Sequence, residues 1–97
     1  MTQDKITVGK LDKYFLITKQ AIDMVKEKGL DDKRKIQAED ALDMAQRYYS
    51  DALHFKAKGD FVLAFAALNY AHGWLDCGAR LGLFKVKDSR LFTVDDD

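Results

Sequence analysis

Ninety-seven residues suffice for one ordinary domain and leave no room for a second independent core. Sixteen basic and sixteen acidic side chains cancel, which disfavours a dedicated binder of nucleic-acid backbone or anionic lipid. One cysteine, Cys77, and two histidines, His54 and His72, exclude an intramolecular disulfide and a four-ligand structural zinc site, and no cofactor is expected.

Proline is absent, and the chain divides at Gly29 and Gly59, each just after a run of helical period. The first helix is predicted over about 10–28. Leu11, Tyr14, Phe15, Thr18, Ile22 and Val25 recur on one stripe at three- and four-residue steps, and Lys26 and Lys28 fall in the last turn, where the helix dipole favours cations.

Asp31 or Asp32 can cap a second helix over about 32–58. Its dry stripe is Ala38, Ala41, Ala45, Tyr48, Ala52 and Phe55, and its wet side is Asp40, Asp43, Arg47, Ser50, Asp51 and His54. The alanines allow close approach of a neighbouring helix. Asp60, directly after Gly59, is the natural N-cap of a third helix over about 61–83, so the second and third helices should form a tight antiparallel hairpin. The expected fold is all-α: one domain, an antiparallel three-helix bundle with a short C-terminal extension over 85–97. In that extension Leu91, Phe92 and Val94 should dock on the bundle, ahead of mobile terminal aspartates.

The third helix carries two apolar faces. On a helical wheel at about 100° per residue, Phe61, Ala64, Phe65, Leu68, Ala71, Leu75, Ala79 and Gly82 form the face expected to pack on the other helices. Leu63, Ala67, Tyr70, Trp74, Cys77 and Leu81 form a second stripe that a monomeric three-helix bundle has nothing left to cover, unless the extension and helix one, through Ile17 and Met24, wrap around it. Exposed apolar stripes rich in Trp and Tyr mark association surfaces, so a homodimer or a partner protein is expected there, with Leu63, Tyr70, Trp74, Cys77 and Leu81 as the interface. The segment Phe61 to Phe84 is long enough to span a bilayer, but Asn69, His72, Asp76 and Arg80 inside it make that costly, and no membrane role is expected.

Between the two faces, Asn69, His72, Asp76 and Arg80 follow one another along a polar edge. That edge is either a small anionic-ligand site, with Arg80 gripping the anion, or a polar ladder fixing helix register. On helix two, Arg47 and His54 are seven residues apart; the spacing resembles the Arg-x6-His motif of HEPN helical ribonucleases, although Tyr48 stands where those enzymes usually place a polar residue. An RNA-directed domain, binding or cleaving with this pair or holding phosphates with Lys33, Arg34 and Lys35, is the alternative reading. No phosphate loop, serine elbow or paired acid–base carboxylates point to an enzyme, and no catalytic residue is nominated.

The run Tyr48-Tyr49-Ser50-Asp51-Ala52, then Lys58-Gly59-Asp60-Phe61, Ala64-Phe65-Ala66, and Asn69-Tyr70-Ala71-His72-Gly73-Trp74-Leu75-Asp76, closed by Gly78, Arg80 and Leu81-Gly82, resembles an archaeal family of short proteins, domain of unknown function three hundred and fifty-seven. The resemblance is close over about 41–84, and Ala-His-Gly-Trp-Leu-Asp is its specific part. It implies a compact antiparallel helical bundle from an archaeal cytoplasm and brings no catalytic residues with it. A cytoplasmic location also agrees with the lone thiol and with the lack of a basic segment followed by an apolar one at the start.

Overall fold

A computed structural model describes residues 5–92. Three helices follow in chain order: α1 (Val8–Lys28), α2 (Lys35–Ala57) and α3 (Phe61–Arg80). They pack as an all-α bundle. α2 and α3 form the most extensive contact, and α1 lies mainly against α3. Among the described residues no strand forms, and no helix is long and apolar enough to cross a membrane.

Local chemistry sets the ends. Thr7 caps α1, its Oγ1 accepting from the Lys10 N–H at 3.1 Å, which starts the helix before the expected position near Lys10. Asp31 accepts from the Arg34 N–H at 3.0 Å and so caps a preliminary turn, and α2 itself begins only at Lys35 with no side-chain cap. At the hairpin, Gly59 takes φ 79°, Gly59 N–H reaches the Lys56 carbonyl and Asp60 N–H reaches that of Phe55, both at 2.9 Å. This paired closure satisfies the last carbonyls of α2, and Asp60 Oδ1 then accepts from Leu63 N–H to start α3.

The same closure ends α3 earlier than its periodicity suggests. Gly82 takes φ 75°, and Leu83 N–H bonds the Gly78 carbonyl at 2.8 Å. Gly82 therefore lies beyond the helix in the left-handed conformation and belongs to the cap rather than to the apolar face expected from the wheel.

Two core clusters fill the bundle. Leu11 and Phe15 of α1 pack with Ala52 of α2 and Ala64, Ala67 and Leu68 of α3. Toward the other end Ala21, Ile22 and Val25 meet Ala38, Ala41, Ala45, Leu75 and Ala79, joined by Leu83, Phe84, Val86 and Phe92. The predicted stripes of α1 and α2 thus face the core, with Tyr48 and Phe55 half-buried at its margin. Tyr14 stays partly exposed, its ring edge-on to Phe65 at 5.1 Å.

Beyond α3 the chain closes that second cluster. Asp31 N–H bonds the Leu83 carbonyl at 2.8 Å and Lys85 N–H bonds the Gly29 carbonyl at 2.9 Å, which makes an antiparallel bridge between Leu30 and Phe84. Phe84 is inserted so deeply that a Cβ on Gly78 would overlap its ring. Phe92 is buried and Leu91 half-buried against the same cluster, as expected; Val94 and the terminal aspartates lie outside the described residues.

Candidate functional site

The outer stripe of α3 leaves a row of large apolar side chains on the surface. Tyr70 is 63% exposed, Leu81 57% and Leu63 46%, and the free thiol of Cys77 is exposed as well. Trp74 is half-buried, one side of its ring resting on the core. Ala67 faces inward and is taken up by the core. Asn69, Tyr70, Gly73, Trp74 and Cys77 line an open groove of about 570 Å³ in which Asn69 is the polar member. Tyr48 of α2 stiffens its wall, stacking on the Tyr70 ring at 5.1 Å and 23°.

The chain following α3 takes another route. His72 Nε2 donates to the Leu91 carbonyl at 2.7 Å, and Asp76 Oδ1 lies 3.7 Å from the same nitrogen. Asp88, Arg90 and Leu91 share a cleft with Ile17, Gln20, Asp23, Met24 and Glu27 of α1. A turn holds this segment: Asp88 accepts from the Arg90 backbone and guanidinium, and that guanidinium keeps the Asp88 carboxyl below the usual carboxylate range. The described part of the extension therefore reaches α1 and does not cover the groove beside Tyr70.

The polar edge of α3 is divided among three environments. Asn69 lines the outer groove. His72 and Asp76, both half-buried, sit where the extension is anchored. Arg80 lines a third place, a cleft at the end of the bundle with Lys28, Lys85 and Lys87. Arg47 and His54 both project from the wet side of α2: Arg47 is held by Asp43 at 2.7 Å, and His54 lies beside the Phe55 ring. Seven residues of helix separate them by about 10 Å of rise. Among the described residues no three His, Cys, Asp or Glu side chains gather closely enough to hold a metal ion.

Helical periodicity does not reveal the buried role of the segment after α3. Phe84 and Val86 are buried while Lys85 and Lys87 are exposed, so the alternation of Phe84-Lys85-Val86-Lys87 is the available signal of an extended segment with one side on the core.

No curated protein and no solved structure matches the chain. A family model described as "Protein of unknown function (DUF357)" matches residues 13–84, from the second turn of α1 through the buried Phe84. The match includes the hairpin, the outer stripe of α3 and the Ala-His-Gly-Trp-Leu-Asp segment, and the chain belongs to the DUF357 family.

Proposed function

We propose that this is a non-enzymatic association module in which the outer stripe of α3 pairs with the same stripe of a second copy. The observation that carries the reading is the symmetry of that stripe. Its outward members Leu63, Tyr70, Trp74 and Leu81 lie symmetrically about residue 72. Turned about a two-fold axis at that level, an antiparallel partner sets Leu63 against Leu81 and Tyr70 against Trp74, with Ala67 retained in the core and every side chain of the stripe uncharged. A closed two-fold contact requires such self-complementarity.

Local geometry supports the same crossing. Gly73, next to the axis, has nothing within 4 Å of a Cβ position, so two helices can approach there without displacing side chains. Tyr70, braced by Tyr48, and Trp74, braced by the core, enter the contact already ordered, which lowers the entropic cost of association. Covering them also removes exposed apolar surface from a small domain. A cytoplasmic setting fits an exposed, unpaired thiol.

Nitroxide labels at Leu63→Cys or Leu81→Cys, each in a Cys77→Ala background, test the arrangement by electron–electron dipolar coupling. In the antiparallel pair each label is offset from its twin by eighteen residues, about 27 Å of helix rise. A coupling centred near that separation for both labels is expected. Absence of coupling, or a distance near a single helix spacing of about 10 Å, contradicts the pairing.

A further inference from the structure

The net charge of zero conceals a strong separation of charge. Residues 26–35 and 80–87, which the Leu30–Phe84 bridge brings to one end of the bundle, carry eight basic and three acidic side chains. The remaining described residues carry eight basic and nine acidic ones. At this basic end lies a cleft of about 750 Å³, lined by Lys28, Arg80, Lys85 and Lys87 over a floor that includes Phe84 and Val86, with no carboxylate in its wall.

We propose that this cleft binds a small, multiply charged phosphate-bearing anion of the diphosphate class. Four cations from three segments converge on it: Lys28 ends α1, Arg80 ends α3, and Lys85 and Lys87 flank the buried Val86. Lys28, Arg80 and Lys87 make no ion pair with a described residue. Lys85 has one, to Asp32 at 3.2 Å, but the Asp32 side chain is 89% exposed and water screens that contact.

At the end of α3 the backbone closure reduces what would otherwise repel an anion. A helix C-terminus normally presents free carbonyls, yet the Gly78 carbonyl is taken by Leu83 and Phe84 N–H and that of Ala79 by Gly82 N–H. α2 starts at the same end with no side-chain N-cap, so the positive end of its dipole adds to the field. Arg34, its N-terminal neighbour, reaches Gly82, with Nη2 3.3 Å from where a Cβ on that glycine would stand. Several converging donors suit the clustered charge of a diphosphate better than a single carboxylate. A small ligand suits the site better than an extended polyanion, because the basic field ends where the rest of the surface, slightly acidic, begins.

Inorganic pyrophosphate, titrated at constant ionic strength and followed by amide NMR, tests this. Saturable shifts confined to residues around 28, 34 and 80–87 are expected, with the Tyr70 groove unmoved. Arg80→Gln and Lys87→Gln should each weaken binding roughly tenfold, the loss of one charge-assisted contact, and Lys10→Gln at the far end should leave it unchanged. Adenosine diphosphate run in parallel separates the sources. Equal affinity means that the cleft reads only the diphosphate, and tighter binding means that a nucleoside is seated as well. No saturation at millimolar pyrophosphate, shifts spread over the whole surface, or binding of a single-stranded RNA oligomer without pyrophosphate would overturn the site. Because the pairing is read at Leu63, Tyr70 and Trp74, outside the residues expected to shift, failure here leaves the proposed pairing standing.

Discussion

Two glycines five residues apart on α3 meet opposite surroundings. At Gly78 a methyl group collides with the buried Phe84 ring; at Gly73 it meets nothing. Overpacking costs about 1–3 kcal/mol, and replacing a helical glycine by alanine recovers about 1 kcal/mol. Gly78→Ala should therefore lower stability, by up to about 2 kcal/mol, whereas Gly73→Ala should raise it by about 0.5–1 kcal/mol, each kcal/mol moving Tm by roughly 4–8 °C. Thermal melts of both variants in a Leu63→Lys background, which removes any contribution from pairing, measure the sign directly. Spacing alone suggests that both glycines ease helix contact. It cannot separate them, because the distinction rests on a phenylalanine that returns from beyond the helix end.

Charge at single residues carries a pH dependence whose direction is fixed. Arg34 beside Asp31, and Arg90 beside Asp88, hold both carboxyls below their usual range in the folded chain. A carboxyl whose folded pKa is lowered contributes stability above its unfolded pKa and loses it as pH falls through the folded value. Asp88→Asn should be less stable than the parent at neutral pH, and the gap should close on acidification through the carboxylate range. Melts across that range check this; a gap that widens as pH falls contradicts it.

At the scale of elements, each helix follows its hydrophobic period, and the corner marked by Gly59 and Asp60 in the sequence is built by paired backbone closure and a side-chain cap, whereas beyond Gly29 and Asp31 helix α2 starts without a side-chain cap. Asp60 alone starts α3, so Asp60→Ala should cost about 1 kcal/mol, seen as a lower midpoint in urea with an unchanged slope. Periodicity does not show where α3 stops, because residues 81–83 keep an apolar pattern while Gly82 has already left the helix. Nor does it show that the next segment forms part of the core. That segment is short and paired to the α1–α2 connection by two long-range hydrogen bonds, and no local periodicity encodes a partner some fifty residues away. The polar edge shows the same limit: Asn69, His72, Asp76 and Arg80 share one side of a helix in sequence, yet the extension claims the middle two and leaves the outer two in separate surroundings.

For the whole molecule, the surface of the bundle among the described residues includes an apolar stripe along α3, a basic cleft at one end, and the sides of α1 and α2, where charged residues surround single exposed apolar ones. The stripe was legible in the sequence, since it needs only helical spacing. The cleft was not, because its four cations come from three segments that the chain brings together only through the Leu30–Phe84 bridge.

Sedimentation equilibrium of the intact protein, beside Leu63→Lys and Tyr70→Lys, tests the pairing of α3 most directly. Both altered residues are exposed, so the lysines should spare the fold. A wild-type mass near twice the 11.1 kDa of one chain, falling to one chain in both variants with helical content unchanged, is the predicted result. A wild-type protein that sediments as a single chain at ~100 μM, where even a weak specific pair with a Kd of about 10 μM would be mostly associated, contradicts it.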